Sequence, residues 1–143
     1  MSEYTYNPEQ LVQPNQNVLL MDSIRCNKGY VIHRNESGLV TLRGIVNNPC
    51  NCFARYQVTF NGNIAVPEDE TAGPISVALS IDGEPVLTSQ AIVTPAAVDN
   101  YFNVTSTAII TVPKGCCMNV SVDNTAAAAI NVQNANLTVT RIA

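Results

Sequence analysis

The chain has 143 residues, 46% hydrophobic and only 13% charged, with a formal net charge of −4 and a pI near 4.7. That is one domain's worth of chain, long enough to bury a real core. The low charge excludes a disordered, self-repelling polymer. The scattered basic residues, with lysine only at Lys28 and Lys114, exclude a nucleic-acid footprint and a polybasic membrane patch.

Residues 1–17 are polar, with Pro8 and Pro14 set among Asn7, Asn15 and Asn17, and are expected to form an extended N-terminal arm. The arm precedes a single domain over residues 18–143. Met1-Ser2-Glu3-Tyr4 has neither a basic nor an apolar run, so no secretory signal is visible. The longest uncharged stretch, 124–140, is broken by Asn and Gln, so no transmembrane helix is expected. Synthesis in a cytoplasm is expected, with exit, if any, by another route such as assembly into a particle released by lysis.

The ordered domain begins with a predicted strand at Val18–Met21. Gly29–Arg34 and Leu39–Ile45 read as a strand pair around Asn35-Glu36-Ser37-Gly38. From Cys52 to Val66 every even position is apolar or Gly, while Arg55, Gln57, Thr59, Asn61 and Asn63 are polar. A period of two is that of a strand with one face in a core and one in water. After the acidic loop Pro67–Gly73, the residues Ile75, Val77, Leu79 and Ile81 alternate with small ones. Asp82-Gly83 then signals a two-residue hairpin, returning through Val86–Val93.

Pro95–Asn100 reads as a loop. In Tyr101–Val112 the even positions Phe102, Val104, Ala108, Ile110 and Val112 are expected inward and the odd ones outward. Pro113-Lys114-Gly115 is a turn. Cys116, Met118, Val120 and Val122 continue the alternation, and Ala126–Ala129 is too short to nucleate a helix. Ile130 and Val132 are apolar on even positions but Leu137 and Val139 on odd ones, so a bulge or loop is expected near Gln133–Asn136. Eight to ten short strands with regular turn signals define an all-β, single-domain antiparallel sandwich of jelly-roll type.

Five cysteines are present: Cys26, Cys50, Cys52, Cys116 and Cys117. Zinc knuckles space their cysteines by two to four residues, and Cys50-x-Cys52 and Cys116-Cys117 do not. The strand phase puts Cys52 and Cys116 inward, as small hydrophobes, and Cys117 outward. Inert thiols are the favoured reading, with zinc ligation (joined by His33) and a disulfide from Cys26 or Cys50 to Cys117 as the other two. His33 is the sole histidine and has no Ser-His-Asp context. Glu68-Asp69-Glu70 lacks calcium-loop spacing and reads as a solvated tip; Asp82 and Asp99 would have to join it to hold a cation. No catalytic, cofactor-binding or metal-binding residues are assigned, and a non-enzymatic protein without cofactors is expected.

The predicted outward positions carry Thr105, Thr107, Thr111, Asn119, Ser121, Asn131 and Thr138 rather than charge. Monomeric β proteins guard exposed edges with charge, lysine above all. A neutral outer face therefore points to burial against other copies of the chain.

Four segments together carry a resemblance: Gly29–His33 (GYVIH), Arg55–Phe60 (RYQVTF), Ile75–Val86 (ISVALSIDGEPV), and Val112–Cys116 (VPKGC) with Ile130–Ile142 (INVQNANLTVTRI). The third resembles the paired middle strands of complement/tumour-necrosis-factor-type heads, and the last their closing strand. As a set they resemble small head-decoration or head-fibre proteins of tailed phages of gut bacteria. The resemblance implies a homotrimer of jelly rolls on the capsid surface of a virion. The arm would dock on the major capsid protein or another virion protein. It transfers no catalytic or ligand residue. Neither a collagen stalk nor a coiled-coil stem accompanies it. The exposed loops Pro67–Gly73 and Pro95–Asn100 are candidate contacts for host-surface or mucin glycans. The alternatives are a phage tail receptor-binding tip and a bacterial surface lectin-like domain.

Overall fold

The computed structural model describes residues 2–25, 31–33, 37–44, 53–115 and 117–142. Twelve strands are defined there: β1 (Ser2–Tyr6), β2 (Gln10–Val12), β3 (Asp22–Arg25), β4 (Val31–His33), β5 (Val40–Arg43), β6 (Phe53–Ala65), β7 (Ile75–Ile81), β8 (Glu84–Pro85), β9 (Ala91–Val93), β10 (Phe102–Pro113), β11 (Cys117–Asn124) and β12 (Ile130–Arg141). They form two six-stranded sheets. One runs β10-β6-β12-β1-β3, with β2 beside β12; the other runs β4-β5-β11-β7-β8, with β9 beside β7. Every pairing is antiparallel. This is the all-β jelly-roll sandwich that the alternation implies, with a few more short strands than expected.

The core lies between the sheets. The even positions of β6 (Ala54, Tyr56, Val58, Phe60, Ile64) meet Val77, Leu79, Val120, Val122, Leu137 and Val139 in one buried cluster. Burying such side chains stabilises the fold by about 25 cal/mol per Å² of apolar surface removed from water. Tyr56 keeps its hydroxyl satisfied by donating to the Arg43 carbonyl at 2.5 Å.

The largest correction concerns the N-terminus. Residues 1–17 are not an arm separate from a domain over 18–143. β1 is an interior strand, zipped to β12 from Ser2↔Val139 to Tyr6↔Ala135 and to β3 on its other side. Ser2 and Tyr4 are fully buried, and Val12 nearly so. Residues 15–18 then run beside β11, with the Val18 N–H on the Val122 carbonyl at 2.7 Å. Ser-Glu-Tyr-Thr-Tyr reads as polar, yet its alternation places Ser2 and Tyr4 in the core. Docking by a free arm is thereby removed from the reading, because releasing β1 would strip a ladder on both sides.

Smaller differences have local causes. Val18–Met21 is not a strand; it is tied by a bridge at Leu20 and the Val18 N–H, next to a bridge at Asn17, before β3. The expected return Val86–Val93 is interrupted by a 3-10 turn at Leu87–Ser89. Ser89 Oγ takes the Leu79 N–H at 3.0 Å and donates to the Val86 carbonyl at 2.6 Å, replacing ladder bonds with side-chain bonds. Asp82-Gly83 is a hairpin turn, with both residues at positive φ (51° and 86°). The phase change in β12 is resolved as a register shift between Gln133 and Asn136.

Candidate functional site

The sandwich has two ends. β6 runs from Phe53 toward Ala65, and β1 and β12 run antiparallel to each other, so Ser2 and Arg141 lie at the Phe53 end. The Ile142 N–H donates to the Arg55 carbonyl at 2.9 Å. This is the basal end. At the opposite, distal end lie Asn7, Ala65 and the loops at 66–74 and 94–101, which the Asp99 N–H joins by donating to the Val66 carbonyl at 2.8 Å.

The outward face of β10-β6-β12-β1 is the candidate site. Cross-strand registers place Thr107 opposite Thr59 opposite Thr138, and Asn103 opposite Asn63. Along this face only Glu3 and Arg55 are charged. Its distal end is a chain of carboxamides. Asn103 Nδ2 donates to Asn61 Oδ1 (2.8 Å) and Asn63 Oδ1 (3.1 Å), and Asn63 Nδ2 donates to Asn134 Oδ1 (2.9 Å). Asn134 Nδ2 in turn donates to Asn7 Oδ1, crossing to the end of β1. Asn134 occupies the β12 bulge with φ +56°, and its N–H holds the Asn7 carbonyl at 3.0 Å. The basal end carries threonines that satisfy themselves locally: Thr59 with Thr107 at 3.0 Å, and Thr107 with the Val58 carbonyl at 3.2 Å.

β10 is the outermost strand of its sheet, 12 residues long and free of charge from Phe102 to Pro113. Ile109 is 63% exposed on it and Phe102 41%. The segment of the 3-10 turn and β9 passes beside this strand, where Ser106 Oγ donates to the Ser89 carbonyl. That segment shows Leu87 and Ile92, also well exposed. An apolar residue at a polar phase, Ile109 between Thr107 and Thr111, is the sequence signal for this edge.

Four of the seven expected neutral positions fall on this face: Thr105, Thr107, Thr111 and Thr138. Of the other three, two lie on the second sheet and one is on this side of β12 but covered. Asn119 is exposed on β11 in the second sheet, bonded to Thr41 at 2.7 Å. Ser121 is buried there, donating to the Asp123 carboxylate at 2.9 Å beside Ser80 at 2.7 Å. Asn131 is buried at the distal end of β12. Phe102, expected inward, is partly exposed because it sits at the end of β10.

Cys26, Cys50, Cys52 and Cys116 lie outside the described residues; Cys117 is exposed and free, in keeping with its outward phase. His33 bridges segments rather than serving a triad. Its Nδ1 meets Ser23 Oγ and its Nε2 meets the Ser37 carbonyl, both at 2.9 Å, and its ring packs on Tyr4 with centroids 4.4 Å apart. Glu68, Asp69 and Glu70 are exposed at the distal loop, where Asp99 also lies, whereas Asp82 sits past the basal end of β7. Among the described residues no three His, Cys, Asp or Glu side chains gather as metal ligands. The Tyr101 hydroxyl is buried at the distal end. Burial, with Glu9 and Asp99 nearby, pushes its pKa above the usual phenol range.

No family model matches the sequence, and no curated protein does. Among solved structures, the globular domain of a zebrafish complement 1qA protein matches over 96% of this chain and 94% of its own, at 15% identity and a TM-score of 0.57. The sugar-binding C-terminal domain of EclA covers 94% of this chain and 79% of its own at 16% identity (TM-score 0.43). A xylan-binding domain from Paenibacillus barcinonensis Xyn10C covers 99% and 94% at 8% identity (TM-score 0.39). The two lower scores fall short of a shared topology. The first is a likeness of fold, and it places this chain among jelly-roll sandwiches.

Proposed function

We propose that the chain is a non-enzymatic structural protein that closes into a homotrimer on the surface of a phage virion. The observation that carries the assembly is β10, a long edge strand without charge and with Ile109 exposed, bordering a face almost without charge. Left bare, such an edge is a template for uncontrolled pairing. Laid on the basal, threonine-bearing part of the neutral face of the next copy, it makes a heterologous contact that closes as a ring when the rotation allows. The sequence resemblance to complement-type heads, which implies a homotrimer, supports three as the number.

The virion assignment is supported by the resemblance of the four quoted segments to phage head-decoration and head-fibre proteins. Attachment to the major capsid protein or another virion protein through the basal end, where Arg141 and Ile142 lie, leaves the distal loops outward. Three copies in one trimer turn a weak docking contact into firm attachment through effective concentration.

Sedimentation equilibrium tests the assembly. A mass three times the 15.3 kDa protomer is expected, and Ile109→Lys should reduce it to one protomer with the fold intact by circular dichroism. A wild-type protomer that stays single at micromolar concentration overturns the trimer. Gold-labelled antibody on particles from a host carrying the gene tests the placement. Label over the head is expected; label at the tail tip shows a receptor-binding protein instead, and unlabelled particles overturn the virion reading.

A further inference from the structure

The distal amide chain has a cavity beside it. Thr5, Asn7, Asn134, Ala135 and Asn136 line a pocket of about 190 Å³ between the end of β1 and the β12 bulge. From this arrangement we infer a binding site for one ring of an uncharged saccharide. The inference stands apart from the trimer, resting on the pocket rather than on the β10 edge.

Three observations carry it. First, the lining contains no ionisable side chain. An anion would call for Arg or Lys, and a cation for carboxylates. What the pocket offers is three carboxamides and a hydroxyl, each combining donors with acceptors. Sugar hydroxyls also donate and accept, so this set is complementary to them.

Second, the amides are held in place before any ligand arrives. Donation runs one way, Asn103 to Asn63 to Asn134 to Asn7, so each amide orients the next. Such relays polarise cooperatively, and fixed side chains lose less entropy on binding. The relay leaves Asn7 Nδ2 unspent. The Asn136 amide and the Thr5 hydroxyl make no hydrogen bond among the described residues. These are the groups left for a ligand.

Third, the backbone is bent to make the pocket. Asn134 stands at φ +56° in a bulge that shifts the β12–β6 register. Bulges re-aim side chains and are over-represented beside functional sites, and a left-handed non-glycine residue is a strained conformation. Drug-sized pockets run to about 300–1,000 Å³. At 190 Å³ this one is sized for a single ring of a glycan chain that continues into solvent.

The test is a titration of ¹⁵N-labelled full-length protein followed by side-chain amide resonances. The probes are methyl α-mannopyranoside, methyl β-galactopyranoside, N-acetylglucosamine and the anionic N-acetylneuraminic acid, each at millimolar concentration. At least one neutral probe should shift the Asn7, Asn134 and Asn136 amide pairs saturably, while the Asn119 pair on the opposite sheet stays still. Asn134→Gly keeps the positive φ and removes the amide. By releasing Asn7 from the relay that orients it, this variant should weaken binding by about tenfold, through the entropy of refixing the freed amide. Asn7→Ala serves as a second variant should Asn134→Gly disturb the fold. Neutral probes that leave these amides unmoved, a response to the anionic sugar alone, or wild-type binding by both variants would overturn the site. Sedimentation of the same samples reports the trimer separately, so failure of one reading is not mistaken for failure of the other.

Discussion

The two ends of the outward β10-β6-β12-β1 face are built by the same alternation and behave differently. At the distal end the side chains are asparagines, long enough to reach across strands, with a donor and an acceptor each. They bond to one another from β10 to the end of β1. At the basal end the side chains are threonines, too short to chain, which turn to a neighbour or to a strand carbonyl. On the basal side of the Thr59–Thr107 pair stand Ile109 and the Phe53 ring, with the Arg55 guanidinium 4.5 Å above that ring. Polar groups locked into a network favour a polar ligand, whereas apolar groups among self-satisfied hydroxyls favour a covering surface. Equal hydropathy along one face therefore does not mean equal function.

The largest expected effect would break the distal end from beneath. Phe60 is fully buried, and its ring lies under Gly62, where an added Cβ would meet Cζ at 2.8 Å. Phe60→Ala should cost about 3–5 kcal/mol, and Gly62→Ala about 1–3 kcal/mol by forcing the same ring aside, both read from urea unfolding. Ile109→Ala at the basal end removes an exposed side chain, so it should leave protomer stability nearly unchanged. It should still weaken the dependence of unfolding on protein concentration. If Ile109→Ala destabilised a dilute protomer as much as Gly62→Ala does, the division of labour between the ends would be wrong.

Much of this fold was legible in the residues, and the gaps have physical reasons. The period-two runs of β6, β7 and β10, the Asp82-Gly83 hairpin and the phase change in β12 all express local rules, and each stands in the structure. β1 was missed because its burial is decided by its partners: Ser2 and Tyr4 look polar until β12 and β3 close on them. Ser121 and Asn131 were misassigned because alternation gives the side of a sheet, not whether anything covers that side. The amide chain was hidden for a related reason. Asn61 and Asn63 stand two apart, but Asn7, Asn103 and Asn134 are brought beside them only by strand order.

A double-mutant cycle sharpens the contrast at smaller magnitude. Asn63→Ala combined with Asn134→Gly should show a coupling of about 0.5–1 kcal/mol, since removing either end of their bond idles the other. Thr59→Val with Thr107→Val should show less, because Thr107 also has the Val58 carbonyl. Equal coupling in both pairs would mean that the distal amides are no more connected than the basal hydroxyls.

The smallest effect is a pH slope at the distal end. Burial first, then Glu9 and Asp99, raise the Tyr101 pKa above its ordinary value of 10.0. The folded chain thus keeps its phenol proton where the unfolded chain begins to lose it. Unfolding above pH 10 then releases a proton, so this contribution to stability is whole below pH 10 and declines as pH rises beyond it. The hydroxyl has no hydrogen-bond partner among the described residues, so Tyr101→Phe should cost nothing at neutral pH and should flatten the alkaline decline. Thermal unfolding from pH 8 to 11 reads both. A loss at neutral pH would show that the hydroxyl bonds to Glu9 or Asn131, tying the acidic distal loops to the sheet beneath them. An unchanged slope would show that Tyr101 opens to solvent before the sandwich does, with those loops loosened at the end that carries the amide pocket.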